Sequence, residues 1–240
     1  MHRFYVERPA AAGETAVLSP EESAHAARVL RLRPGEEIVL LDGQALWRAR
    51  LENVNERACE ARVLSALPST EPCAKVTLIQ GLPKADKLDW IVQKATELGA
   101  WDVWPVEMAR SVARGGKESR RERLSRIALE AAKQSGRAHV THIGTVRNFR
   151  QALEALKGDP PDLLLTAWEE ERALPMSRAV ADFAARQGRP GRVAVVIGPE
   201  GGIATEEWEA LRALGAVSVT LGPRILRTET AAIAGQTIVM

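Results

Sequence analysis

Five short apolar runs occupy the last two thirds of the chain: Val76–Gln80, Val103–Val106, Leu163–Ala167, Val193–Ile197 and Val217–Leu221. Helical patterns near 86–98, 117–135, 175–187, 205–214 and 228–240 lie between or after them. Leu163–Ala167 and Val193–Ile197 lack the polar alternation of a half-exposed strand, and with Val217–Leu221 they read as buried-type strands. Such strands alternating with helices predict a parallel sheet of the α/β class. In the helix expected from Asp86, residues Leu88, Ile91, Val92, Ala95 and Leu98 share one face, with Asp86 as cap and Gly99 as terminator. The long basic helix from Lys117 to Ser135 turns Leu124, Ile127, Ala128 and Ala131 inward.

The first part of the chain reads differently. Arg3–Val6, Glu37–Leu41, Ala45–Leu51 and Ala58–Leu64 are short β-type runs, and Asp42-Gly43 is a hairpin signal. One helix interrupts them, opening at Ser19-Pro20 and closing near Arg33-Pro34-Gly35. Several short strands with one helix predict a small β-barrel. Pro68–Pro72 has linker composition, so two domains are expected, 1–70 and 74–240.

An apolar fraction of 45% in 240 residues supports ordinary cores. No run approaches membrane-spanning length, and the N-terminus lacks a signal-peptide pattern, so neither membrane attachment nor export is expected. Cys59 and Cys73 read as free thiols of a reducing cytoplasm. The cysteines and the four histidines form no metal-ligand motif, and no metal is expected. The net charge of +2 hides an asymmetry: Met108–Arg150 carries eleven Lys/Arg against three acids. A stretch this basic is either a solvated helix face or a surface for phosphate backbones.

Two motifs concentrate the chemistry. Gly198-Pro199-Glu200-Gly201-Gly202 follows one apolar run, and Leu221-Gly222-Pro223-Arg224-Ile225-Leu226-Arg227-Thr228-Glu229-Thr230 follows another. Glycine at a strand end permits a sharp turn and close approach of a ligand. Two such turns predict a crevice at the carboxyl ends of neighbouring strands. The first lacks both the Lys-Ser/Thr of a phosphate loop and the glycine spacing of a dinucleotide fingerprint, which disfavours a nucleotide-phosphate enzyme.

Together with His25–Arg31, Lys84-Ala85-Asp86-Lys87, Gln93–Gly99, Arg110-Ser111-Val112 and Glu130–Arg137, these motifs resemble the RsmE family of SPOUT-class methyltransferases, which methylate N3 of a uridine in 16S rRNA. The resemblance runs along the whole chain. It implies a PUA-like RNA-binding barrel followed by a SPOUT domain whose C-terminal segment forms a trefoil knot. It also implies S-adenosylmethionine as cofactor, 16S rRNA within the 30S subunit as substrate, a homodimer, and a place in the cytoplasm.

The residues it points to are definite. Thr166, Ile197, Gly198, Glu200, Gly201, Gly202, Leu221, Gly222, Ile225, Leu226 and Thr230 are expected at the cofactor. The apolar ones among them also suit plain core packing. Arg227, Glu229 and Arg137 are the expected catalytic group. Uridine N3–H must lose its proton before or during transfer, which calls for a base or for a cation to hold the anion. Glu229 is alternatively a helix-start carboxylate, and Arg137 a helix C-terminal cation. Arg28, Arg31, Lys84, Arg110, Arg120 and Arg121 are expected at RNA. Two other readings remain open: methylation of a ribose 2′-OH or another base, and an RNA-binding module without catalysis.

Overall fold

The computed structural model describes residues 1–8, 11–84, 86–115 and 118–240. Ala85 and Lys117, each part of a motif or stretch singled out in the sequence, lie outside the described residues. The chain forms two compact units. One comprises Met1–Glu71 with Leu129–Val140, and the other Pro72–Ala128 with Thr141–Met240.

In the first unit, β1 (Arg3–Tyr5), β2 (Thr15–Val17), β3 (Glu37–Leu41), β4 (Leu46–Asn53) and β5 (Glu60–Ala66) form one sheet in the order β1-β3-β4-β5-β2. β3, β4 and β5 are antiparallel neighbours, whereas β1 runs parallel to β3. No β1–β2 ladder closes the sheet among the described residues, so the expected barrel is an open one. The β3–β4 turn forms where the sequence predicts it: Asp42 accepts from the Gln44 and Ala45 N–H groups and from Trp47 Nε1. Phe4, Leu18, Ile38, Leu40, Ala49, Leu51 and Ala61 build the core.

The helix opens as expected. α1 (Pro20–Ala24) has Ser19 capping the Glu22 N–H and proline in its first turn. It does not run to Pro34. It passes into a π-helical turn, His25–Val29, and Arg31 then takes a left-handed backbone with φ 55°. Wide turns of this kind are rare and concentrate at functional sites.

The same unit is completed from the middle of the chain. Arg3 Nη1 donates to the carbonyls of Lys133 and Gln134, and Lys133 Nζ lies 2.9 Å from Glu22 Oε1. Ala138 joins Val39, Leu41 and Leu46 in a second apolar cluster.

In the second unit, β6 (Lys75–Gly81), β7 (Asp102–Glu107), β8 (His142–Ile143), β9 (Arg147–Asn148), β10 (Leu163–Ala167), β11 (Arg192–Ile197) and β12 (Val217–Val219) form a wholly parallel sheet. Its order is β12-β10-β11-β6-β7-β8, with β9 also paired to β7. The helices of the unit are α2 (Lys87–Glu97), the first part of α3 (Glu118–Ser135), α4 (Phe149–Gly158), α5 (Met176–Gln187), α6 (Thr205–Ala213) and α7 (Thr228–Val239). Asp86 is the residue before α2, but its side chain makes no capping bond. The sequence reading gives no helix where α4 lies. An Asn148–Gln151 capping box starts it, and Ala152 and Leu156 bury its inner face.

Alternation along the strands separates two faces. Ile79, Leu164, Ala194 and Val196 pack with Ala152, Leu156, Trp208 and Leu211. The opposite face receives α7. A Cβ at Gly235 would lie 3.4 Å from both Val195 Cγ1 and Met176 Cε, so a small residue here sets how closely that helix approaches the sheet. Gln236 Nε2 ties the same helix to the Ala95 carbonyl of α2 at 2.7 Å.

Candidate active site

β10, β11 and β12 end in register, with Ala167 beside both Ile197 and Val219. The chain leaves all three at their carboxyl ends, and the segments that follow enclose a cleft of about 510 Å³. This is the size of an ordinary small-molecule site. Ala167, Ile197 and Val219 contribute apolar surface, and the segments 198–202 and 219–228 form much of the wall.

The cleft is fixed from beneath by hydrogen bonds joining three elements. Gln80 Nε2, fully buried at the end of β6, donates to Thr228 Oγ1 at 2.9 Å. Thr228 Oγ1 donates in turn to the Gly198 carbonyl at 2.6 Å. A Cβ at Gly81 would lie 2.5 Å from Pro199 Cδ and 2.6 Å from Pro199 N. Gly81→Ala is expected to cost about 1–3 kcal/mol, the usual cost of overpacking. A melting temperature equal to that of the wild type would refute this close packing.

The loop 198–203 is braced from outside as well. Glu169 accepts from the Ile203 N–H, and Arg110 Nη1 reaches both Glu169 Oε1, at 3.3 Å, and the Gly201 carbonyl, at 3.1 Å. Gly202 has φ 77°, and a Cβ there would fall on the Glu169 carboxylate. A Cβ at Gly201 would meet Arg110 Cβ at 2.8 Å and the Arg110 carbonyl at 3.1 Å. Bulk at Gly201 therefore presses on the Arg110 loop, and Gly201→Val is no clean probe of ligand approach. Glu171 holds Ser218 Oγ at 2.6 Å. That hydroxyl first, then the Ala173 N–H, keeps its carboxyl below the ordinary range.

At one side of the cleft stands Lys87, in the first turn of α2. Its Nζ lies 3.0 Å from Glu200 Oε1 and 3.2 Å from Glu229 Oε2. Glu200 also accepts from the Lys84 N–H. Burial opposes ionisation of Glu200, but the Lys87 ammonium and backbone N–H groups outweigh it and hold the carboxyl low. The Lys84–Lys87 motif, the 198–202 motif and the 221–230 motif thus meet at one cation.

Nine residues expected at a cofactor line this cleft: Ile197, Gly198, Glu200, Gly201, Gly202, Leu221, Gly222, Ile225 and Leu226. Thr166 does not. It is fully buried, one position before Ala167 and beside Val196, so it belongs to the other face of the sheet. Thr230 is exposed and is not part of the lining either. Of the expected catalytic group, Arg227 lines the cleft and Glu229 sits beside it on Lys87.

Arg137 lies in the first unit, almost wholly buried, with Nη2 2.6 Å from Glu71 Oε2. Glu71 Oε1 accepts from the Ala138 and His139 N–H groups, so the pair is built into the local backbone.

The residues expected at RNA divide by how they are engaged. Arg28 pairs with Glu56, and Arg121 with Glu118. Arg31 and Lys84 are exposed, and Arg110 braces the cleft. Two residues of the site are not singled out by sequence reasoning. Lys87 stands inside a motif that is, and Glu169 has its signal in geometry alone. Among the described residues no group of His, Cys, Asp and Glu side chains is placed to hold a metal ion. No helix there is long and apolar enough to cross a membrane.

The parallel sheet with its carboxyl-end cleft and the small β-rich unit each overlap an RNA methyltransferase family model. The RNA methyltransferase domain model matches residues 69–240, and the RNA methyltransferase PUA domain model matches 18–64. The ribosomal RNA small subunit methyltransferase E of Bacillus subtilis is 34% identical over 96% of this chain and 93% of its own. That of Mycobacterium bovis is 37% identical over 95% and 87%. The crystal structure of a ribosomal RNA small subunit methyltransferase E from Neisseria gonorrhoeae, bound to S-adenosyl methionine, superposes with a TM-score of 0.83 at 32% identity, covering 98% of this chain and 95% of that one. The chain belongs to the ribosomal RNA small subunit methyltransferase E family.

Proposed function

We propose that the protein transfers a methyl group from S-adenosylmethionine to N3 of a uridine in 16S rRNA, within the small ribosomal subunit. The observation that carries this reading is the cleft at the ends of β10–β12, lined by Lys87, Glu200 and Arg227, with Glu229 beside it on Lys87. Its residues suit that cofactor. Ala167, Ile197 and Val219 offer apolar surface to an adenine, and the backbone of Gly198–Gly202 and Leu221–Leu226 offers polar groups to a ribose and an amino-acid tail. When bound, S-adenosylmethionine supplies an electrophilic methyl group.

The chain's own residues then have two tasks. One is placement, because an in-line displacement is governed by the relative position of nucleophile and methyl. The braced 198–203 loop and the Gln80–Thr228–Gly198 bonds serve it. The other is charge. Arg227 is exposed at the mouth and makes no ion pair among the described residues, so it is free to meet an anion at uracil N3. Glu229 is the group available to take the N3 proton. Arg137 reaches a uridine only if its Glu71 pair opens, and this reading leaves it to the first unit.

We further infer a two-fold homodimer in the cytoplasm, with the chain after β12 forming the SPOUT knot. Trp90 of α2 and Ile238 and Met240 at the C-terminal end are large apolar residues left exposed at 44%, 37% and 40%, which supports a covered face here. Light scattering showing an active monomer at working concentration would refute the dimer.

For RNA, Arg114, Arg120 and Arg126 make no ion pair among the described residues. Arg120→Ala with Arg126→Ala is expected to weaken RNA binding at low salt and to lower the salt slope by about 0.7–0.9 for each phosphate no longer neutralised. Unchanged affinity and slope would make this a merely solvated face.

The reading as a whole is tested with labelled S-adenosylmethionine and unmodified 30S subunits. Transfer to a uridine base is expected, and it stops reverse transcription because N3 methylation blocks base pairing. Label on a ribose would favour the 2′-OH reading. RNA binding without transfer would favour a non-catalytic module.

A further inference from the structure

Three segments far apart in sequence converge on Lys87, and none of them needs it for its own fold. α2 starts at Lys87 whatever its ammonium touches, with Leu88, Ile91 and Val92 burying its inner face. The 198–203 loop is braced by Arg110 and Glu169. The start of α7 is pinned by Thr228 to the Gly198 carbonyl. Lys87 is about one third exposed, so its two ion pairs add little to stability. What they add is geometry. Glu200 belongs to the loop that walls the cofactor cleft, and Glu229 lies two residues from Arg227. One ammonium between them sets the distance from the cofactor wall to the catalytic turn. It also screens two carboxylates that would otherwise repel each other at the place where an anion must develop.

We propose that Lys87 is a positioning residue for methyl transfer, acting through Glu229 by tying the start of α7 to Glu200 of the cofactor loop. The inference rests on the methyltransferase reading above. Lys87 borders the cleft but acts on the transferred group only through the two carboxylates. Its effect falls on the transfer step more than on cofactor binding.

The test uses the full-length protein with S-adenosylmethionine and 30S subunits. Lys87→Met, Lys87→Arg, Glu229→Gln and the Lys87→Met/Glu229→Gln double variant are compared with wild type for single-turnover rate, cofactor affinity by calorimetry, and melting temperature. Lys87→Met is expected to slow transfer by about 30–100-fold, the loss that follows from misplacing reacting groups by an ångström or less. Cofactor Kd should stay within about threefold and the melting temperature within about 2 °C, as for the removal of partly exposed ion pairs. Lys87→Arg should recover most of the rate. The double variant should be no slower than the slower single one, since both remove the same tie.

Four results would overturn the inference: an unchanged rate in Lys87→Met; rate, affinity and melting temperature falling together; no recovery in Lys87→Arg; or independent, multiplying losses in the double variant. A wild-type protein that transfers no methyl group at all overturns the functional reading, and the two failures are thereby told apart.

Discussion

Arg227→Ala is expected to lower the single-turnover methyl-transfer rate by about 10²–10³, the usual loss when one donor to a developing negative charge is removed. The variant should fold as the wild type does. Arg227 contributes only its backbone to α7: its carbonyl accepts from the Ala231 N–H, and its side chain makes no capping bond. An exposed change of this kind alters stability by no more than about 0.5 kcal/mol, or about 1–2 °C for a chain of this size. A wild-type rate in Arg227→Ala would remove this residue from the mechanism and leave Lys87 as the partly buried cation of the cleft.

Arg137→Ala is expected to do the opposite. The catalytic role that the family resemblance implies would make it a variant that folds normally and loses turnover. The structure leaves Arg137 3% exposed, with its guanidinium against Glu71, whose other oxygen holds two backbone N–H groups. Removing one member of a buried pair strands the other, and typically costs about 3–5 kcal/mol. For a chain this long that is a fall in melting temperature of about 6–20 °C. Glu71→Gln, which keeps an acceptor for the N–H groups, should fall less. Circular dichroism melts decide the matter. An Arg137→Ala protein that melts with the wild type yet turns over slowly would return this arginine to the catalytic group.

The contrast between these two arginines shows what a sequence can carry. Strand and helix order in the second unit follows from apolar periodicity, which depends only on neighbours along the chain. The runs at 163–167 and 193–197 become β10 and β11 within a residue of their expected limits. β8 and β9 are two residues each, too short to leave a periodic trace. α4 does carry local signals, a capping box and an apolar stripe, so its place is legible in principle.

For the cleft, nine of the eleven expected residues line it, eight of them within the glycine-rich motifs and Ile197 just before the first. Thr166 fails by one position, because alternation in a strand fully covered on both faces leaves no polar mark to say which row points where. Arg137 fails for another reason: its partner, Glu71, is 66 positions away. Nothing local distinguishes an arginine that will be buried against a distant carboxylate from one that will meet substrate. Lys87 is hidden in the same way, since its meaning lies in two carboxylates more than a hundred residues downstream.

The composition of the first unit has a consequence for synthesis. Its sheet is encoded before residue 71, yet Lys133, Arg137 and Ala138 come from 129–140. On a translating ribosome those residues follow about 70 positions later, a delay of roughly 3–14 s at ordinary elongation rates. During that interval Glu71 has no Arg137, Glu22 has no Lys133, and the Val39–Leu41–Leu46 cluster lacks Ala138. The nascent barrel must wait, incompletely covered, for a strip of helix that has not yet been made. A gene cut at the 68–72 linker would make that wait permanent, so the segment with linker composition is a poor place to divide this protein.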